Sequence, residues 1–316
     1  MISKATLANV IDYTVPEKKQ ARILISADAK NEADDDFALV HALLTPSFQV
    51  KGLLGAQYSR TAPLMGRDAS KTATESALEM LRVLNFVKGD VPVFTGAQTS
   101  MQDNSAVKVS PAAQAIVDEA NLKSDIPLYV LVLGPMTDVA LAYQADPSIA
   151  DKMTVIWIGG MPYPKGGWEY NLFNDPKAAQ VVLNSSIPLW QIPHNVYMKM
   201  RVSFAELQLK VRSQGELGEY LWDQMMEFNE FANTHLNITT WPKSEVWVLG
   251  DNPSISLLLA TEQYQYTEQD APLLDDELNY LPNPDSKRKV RVYHDVDERF
   301  TLEDFFSKLA LLNVDK

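Results

Sequence analysis

The sequence predicts an α/β fold: a mainly parallel central sheet with helices on both faces. Two observations carry that prediction. Short apolar runs without polar alternation recur along the chain, which is how strands buried on both faces read. Stretches of helical period separate them, and strand–helix–strand spacing of this kind builds crossovers onto a parallel sheet.

The elements follow in order. Arg22 to Ala27 is a buried strand ending in a polar cluster, and Asp34 to Leu44 is a helix with apolar positions at Phe37, Val40 and Leu44, stopped by Thr45-Pro46. Val50 to Leu54 is the next strand, Ala69 to Val87 a long helix, Val91 to Phe94 a short strand and Pro111 to Ala120 a helix. The pattern repeats with a strand at Leu128 to Leu133, a helix at Met136 to Tyr143 and a strand at Met153 to Ile158. Asp175-Pro176 opens a helix to Asn184 as an N-cap and N1 pair, and Ile187 to Ile192 is a further strand. The character then changes. A helical segment over 203–235, broken near Gly215, precedes a surface connection over 264–288 that is richest in proline and acid between Glu268 and Asp285. A strand at Val290 to Tyr293 and a helix at Leu302 to Leu312 close a chain read as one domain, 1–316.

Composition narrows the function classes. With 46% hydrophobic residues in 316, there is ample apolar material for a large core. A net charge of −13 argues against nucleic-acid backbone binding, which needs a basic face. The absence of cysteine excludes disulfides, thiolate metal sites and a cysteine nucleophile. No apolar stretch is long enough to span a membrane and no signal peptide is visible at the start, so a cytoplasmic protein without membrane partners is expected.

The feature that most needs explaining is an acidic loop. Asp28, Glu32, Asp34, Asp35 and Asp36 crowd the end of the first strand. Close carboxylates repel unless a cation neutralises them or one keeps its proton. Oxygen donors without His or Cys favour a hard ion, Ca²⁺ or Mg²⁺. The alternative is helix capping, since acids stabilise a first helical turn. Capping accounts for Asp34 and Asp35 but not for Asp28 at the strand tip. The EF-hand pattern does not fit, because Lys30 takes a ligand position and the loop glycine and final glutamate are missing.

This arrangement resembles the nucleoside hydrolase family, whose first strand ends in Asp-Thr-Asp-Pro-Gly-x-Asp-Asp-Ala. The run Ile23 to Asp28 matches the strand and its last aspartate, with Ala29 to Ala33 replacing a shorter turn; an ungapped alignment puts Lys30 at the second aspartate instead. Further segments match in the family's order. Leu131 to Asp138, with Gly134-Pro135-Met136-Thr137, resembles Gly-Pro-Leu-Thr-Asn. Gly159-Gly160-Met161 lies before Glu169-Tyr170-Asn171 and Asp175-Pro176, as in Met-Gly-Gly, Glu-Phe-Asn and Asp-Pro-x-Ala-Ala. Gly250-Asp251-Asn252-Pro253 resembles the late His-Asp-Pro. The resemblance covers roughly residues 20 to 310.

It implies a calcium-dependent hydrolase of the N-glycosidic bond of ribonucleosides or related ribosides, serving purine and pyrimidine salvage as a homodimer or homotetramer. Carried over, Asp28 is a calcium ligand and the base that activates water. Asp35 and Asp251 are further ligands, with the Leu133 carbonyl. Asp34 binds a ribose hydroxyl, Glu169 and Asn171 hold the sugar, and Gln57 stands where the family has an asparagine. Glu32 is a further candidate for the ion. Trp168 either stacks on the base or anchors its loop. His194, at a strand end, is a candidate substrate contact, and the helical segment 203–235 lies near the base pocket. Gly250 replaces the histidine able to protonate the leaving base, and the His-Gly-x-x-Gly segment is missing, with Thr95-Gly96-Ala97-Gln98 in its place. A different glycoside or modified sugar therefore remains an alternative substrate, and a calcium-dependent sugar- or nucleoside-binding protein an alternative class. His294-Asp295 spells His-Asp in the last strand region, where a structural role is expected.

Overall fold

The apolar run at the start of the chain forms strand β1 (Ala21–Ala27), with every residue buried. A computed structural model of the protein describes residues 13–103, 108–235, 244–260 and 263–313; the leader-free start expected for residues 1–8 lies outside them. After β1 come α1 (Asp34–Leu43), β2 (Phe48–Gly55), α2 (Thr72–Val87), β3 (Val93–Thr95), α3 (Pro111–Ala120), β4 (Leu128–Val132) and α4 (Thr137–Ala145). Then follow β5 (Thr154–Ile158), α5 (Tyr170–Asn174), α6 (Pro176–Asn184), β6 (Leu189–Ile192) and α7 (His194–Tyr197). The last third carries β7 (Arg201–Ser203), α8 (Phe204–Leu207), α9 (Gly215–His235), β8 (Val246–Val248), α10 (Pro253–Leu259), β9 (Tyr266–Asp270), β10 (Leu273–Leu274), β11 (Tyr280–Leu281), β12 (Lys289–Tyr293) and α11 (Glu298–Leu311).

Eight strands form one sheet in the order β3-β2-β1-β4-β5-β6-β12-β9, parallel except for β9 at the edge. The two-residue period of a strand sends alternate side chains to opposite faces. Ile23 and Ile25 of β1 pack with Phe37, Met80, Ile255 and Phe305 from α1, α2, α10 and α11. Leu24 packs on the other face with Ile116, Val139 and Val182 from α3, α4 and α6. Helices therefore cover both faces, as the sequence predicts.

Caps fix where helices begin. Ser110 Oγ accepts the Ala113 N–H at 2.9 Å and Asp175 accepts the Ala178 N–H at 3.1 Å, each just before a proline at N1. Between α8 and α9 a π turn covers Gln208–Arg212, and Gly215 takes φ 67°, the left-handed geometry that breaks the helical segment there.

The surface connection expected over 264–288 is in part sheet. Its residues Tyr266–Asp270 form β9, antiparallel to β12, and β10 and β11 make a small hairpin after it. An edge strand with both faces largely solvated has no apolar pattern to betray it. Its antiparallel pairing with β12 is visible only once β12 is placed.

Candidate active site

Strand order reverses at β1: β2 and β3 lie on one side, β4, β5 and β6 on the other. The crevice outside the carboxyl ends of strands at such a switch point is where parallel sheets take ligands. Here the segments after β1, β4, β5 and β6 meet the turn before α10 around a narrow cleft of about 40 Å³.

Its floor is acidic. Carboxylate oxygens of Asp34 and Asp35, from the first turn of α1, and of Asp251, before α10, lie within 4.8 Å of one another. The Gly250 N–H donates to Asp34 Oδ2 at 3.1 Å. Asp35 Oδ1 is buried and accepts no hydrogen bond. Asp28, at the tip of β1, lines the same cleft, but it is not one of the three close carboxylates. Asn31 Nδ2 donates to Asp28 Oδ2 at 2.8 Å, and Oδ1 lies so close to Gly134 that a Cβ there would stand 2.6 Å from it. Asp34, assigned to a ribose hydroxyl, stands among the clustered carboxylates, and Asp28, assigned to the ion, stands beside them.

The remaining loop acids separate cleanly. Glu32 lines the cleft. Asp36 is turned the other way, where it accepts from Gln224 of α9. Lys30 also leaves the cleft, its Nζ 3.1 Å from Glu79 of α2. The lysine that an ungapped alignment sets at an aspartate position therefore serves Glu79 and Asp36, and is not among the residues that line the cleft.

Burial and mutual repulsion push these carboxyls up. Burial moves Asp28 up to about 8, opposed by the Asn31 hydrogen bond and reinforced by Asp34 and Glu169. Burial lifts Asp34 to about 6 against its backbone hydrogen bonds. Asp35, Asp251 and Glu32 rise well above the ordinary carboxylate range, by burial first and then by their acidic neighbours. An oxygen-only donor set, three carboxylates in reach of one point and an orphaned buried oxygen fit a hard divalent cation.

The opposite wall is built by α5 and α7. Glu169 is the N-cap of α5: Oε2 accepts from Gly160 N at 2.7 Å and Leu172 N at 3.0 Å, and Oε1 from Asn171 N at 3.2 Å. Tyr197 at the end of α7 donates its hydroxyl to Glu169 Oε1 at 2.9 Å. Asn171 Nδ2 donates to the carbonyls of Leu133 at 3.1 Å and Ile158 at 2.8 Å, and both of those residues line the cleft.

Three expected site residues stand outside this cleft. Gln57 is fully buried: its Nε2 donates to Thr137 Oγ1 and the Asn174 carbonyl, and its Oε1 accepts from Ser59 N and Oγ. Its hydrogen-bonding groups are thus occupied by protein. Trp168 is 47% exposed, edge-on to Tyr170 at 5.1 Å, and borders a separate cavity of about 360 Å³ with Arg60, Phe173 and Lys177. His194 packs edge-on against Tyr197 at 5.2 Å and is not among the residues that line the cleft. Asp138 and Asp175, carried by the matching motifs, are structural. Asp138 accepts from Ala97 N and Ser110 Oγ, and Asp175 from Met101 N and Thr137 Oγ1.

Tyr197 and Tyr170 line the cleft without having been singled out from the sequence, and Asn31, which with Glu32 enlarges the loop, lines it as well. The one available signal for Tyr197 was position. It lies one helical turn past the end of β6, at the sheet's carboxyl edge.

The sheet is of the doubly wound α/β type, and the family match makes the chain an N-glycosyl hydrolase. Residues 23–301 match the inosine-uridine preferring nucleoside hydrolase family, and the chain belongs to it. It is 24% identical over 277 residues to the pyrimidine-specific ribonucleoside hydrolase RihA of Escherichia coli O1:K1, covering 78% of this chain and 82% of that one. The Salmonella paratyphi A protein of the same description is 26% identical over 278 residues, with the same coverage of 78% and 82%. Among solved structures, the purine-preferring ribonucleoside hydrolase from Gardnerella vaginalis superposes with a TM-score of 0.74 at 17% identity, over 94% of this chain and 100% of that one. The plant nucleoside hydrolase PpNRh1 gives 0.70 at 18%, over 93% and 99%. At these identities the structural likeness speaks for the fold.

Proposed function

We propose that the chain hydrolyses the N-glycosidic bond of ribonucleosides or related ribosides in a calcium-dependent reaction. The observation that carries the reading is the convergence, at the switch point of the sheet, of Asp34, Asp35 and Asp251 with Asp28 on one side and Glu169 and Asn171 on the other. Asp34, Asp35, Asp251 and the Leu133 carbonyl would hold the ion. When bound, Ca²⁺ supplies a positive charge that orients a water and the ribose diol.

The chain's own residues do the rest. Asp28, set by the Asn31 amide, takes the proton of the water that attacks C1′. Asn171 is fixed through its amide nitrogen, which leaves Oδ1 to accept from a ribose hydroxyl. Glu169 is immobilised by the start of α5 and by Tyr197, so it meets the sugar without reorganising. The surrounding carboxylates stabilise the oxocarbenium-like sugar as the bond breaks. The family resemblance also supports a homodimer or homotetramer acting in cytoplasmic salvage; light scattering of the purified chain checks the assembly.

Metal analysis combined with hydrolysis of p-nitrophenyl riboside tests the reading. Bound calcium, and activity lost in chelator and in Asp28→Ala, are expected. Full calcium occupancy without cleavage of any glycoside would sink it.

A further inference from the structure

A row of buried polar side chains runs from Asp28 to the helix that begins at Glu169 and carries Asn171. Its members are Asn31 in the loop after β1, Thr61 in the loop after β2 and Asn174 at the end of α5. Polar groups shut away from water are kept where each finds a protein partner, so the direction of every bond can be worked out.

The backbone sets the order. The Thr61 N–H donates to Asn174 Oδ1 at 3.2 Å, and Asn174 Nδ2 donates to the Tyr170 carbonyl at 3.3 Å, which fixes the two ends of that amide. Nδ2 also donates to Thr61 Oγ1 at 3.2 Å, so the hydroxyl is used as an acceptor there. Its single hydrogen then goes to Asn31 Oδ1 at 3.0 Å, nearer than the Tyr58 carbonyl at 3.2 Å or Asn174 Oδ1 at 3.3 Å. With its oxygen bound in this way, Asn31 presents Nδ2 to Asp28 Oδ2 at 2.8 Å. Gln57 braces the same row by donating to the Asn174 carbonyl at 3.3 Å. Without the Thr61 hydroxyl, the Asn31 amide is held at its Asp28 end and has lost the donor to its buried oxygen, which costs free energy unless the amide turns toward another.

Resting on the hydrolase reading above, we infer that Thr61 is a positioning residue of the reaction: set by Asn174, its hydroxyl holds the Asn31 amide, and through it the Asp28 carboxylate, in register with Glu169 and Asn171. Thr61 is not among the residues that line the cleft, so it acts through Asp28 and not on the sugar. Its contribution falls on the step in which Asp28 takes the proton of the attacking water. A displacement of about 1 Å in a reacting group can cost on the order of 10²-fold in rate. Sugar binding is spared, because the Thr61 N–H and the Tyr170 carbonyl still hold Asn174 when the hydroxyl is gone.

The test measures kcat, KM and, by calorimetry, calcium affinity for the natural chain, Thr61→Val and Thr61→Ser, at a temperature where each is folded. The substrates are p-nitrophenyl riboside, inosine and uridine. Thr61→Val keeps the shape and loses the hydroxyl; it should lower kcat about 10- to 100-fold, with KM and calcium affinity within about threefold of the natural chain. Thr61→Ser loses a buried methyl and keeps the hydroxyl, and it should restore most of that rate. A packing role for Thr61 predicts the reverse order. Where Thr61→Val does not fold, Thr61→Ala removes the hydroxyl without adding a methyl beside Asn31 and is read in the same way. The inference is overturned, and the hydrolase reading left standing, by a kcat within about threefold of the natural value, by a loss carried in KM or calcium affinity, or by Thr61→Ser as slow as Thr61→Val. If the natural chain cleaves none of the three substrates, both fall together.

Discussion

Asp35 carries an oxygen that is buried and without a hydrogen-bond donor, beside two further carboxylates. Without a cation this arrangement is destabilising, since a buried charge or a buried unpaired acid costs free energy. Asp35→Asn should therefore raise the melting temperature in chelator, by on the order of 1 kcal/mol of stability. The same variant should lose the melting shift produced by calcium. A scan of both proteins with and without the ion reads both effects, and a variant that melts lower in chelator would show that Asp35 is satisfied as it stands. Gly250 gives a second test at this scale. Gly250→Ala forces a methyl against Asp34 Oδ2 and the Tyr197 ring. Overpacking there should cost about 1–3 kcal/mol, and calcium titrated calorimetrically should bind on the order of tenfold more weakly. Unchanged affinity would mean that Asp34 is not held in place by its contact with residue 250.

Helix α1 joins the site to the far wall of the core. Asp34 and Asp35 open it, and His41 lies near its end, fully buried. His41 Nε2 meets Asp304 of α11 at 2.8 Å and Nδ1 meets Asn252 Nδ2, next to Asp251, at 3.0 Å. These partners assign the proton to Nε2 and leave Nδ1 as acceptor, a neutral ring. Burial lowers its pKa to about 4, with the Asp304 hydrogen bond opposing and Lys308 assisting. Between pH about 6.5 and about 4 the unfolded chain binds a proton that the folded chain refuses, so this contribution to stability falls on acidification and is constant above that window. The span is worth on the order of 3 kcal/mol. Upward-shifted carboxyls such as Asp138 work in the opposite sense, so the measurable quantity is a difference. His41→Gln should be less stable than the natural chain at pH 7, with the gap narrowing as urea titrations move to pH 4.5. A constant gap would refute a neutral buried imidazole. The same elements explain what the sequence made legible. β1, β4 and β5 are apolar runs with local signals, and the acids beside Asp28 announce themselves by crowding. β9 carried no burial pattern, and β7 and β8 are three residues each. The departure of Gln57 and His194 from the cleft, and the entry of Tyr197, depend on side-chain direction across elements distant in sequence, which no local pattern encodes.

At the scale of the molecule, the site joins segments that folding alone brings together. The loop after β1 and the turn before α10 are more than two hundred positions apart, yet Asp35 and Asp251 stand within reach of one ion. A cation bound there would act as a cross-link between the two, and by linkage would stabilise the fold by about 2.7 kcal/mol when present at a hundred times its dissociation constant. The location of that stabilisation is more informative than its size. Hydrogen exchange should slow on calcium addition in residues 28–36 and 248–253 together, because one ligand set spans both. The β9–β12 edge of the sheet, remote from the cleft in strand order, should exchange at its former rate. Asp251→Asn should abolish the added protection in both segments, since removing one ligand releases the ion from both. Protection confined to 28–36, or surviving Asp251→Asn, would mean that the acidic loop holds calcium by itself, and that Asp251 has another role in the site.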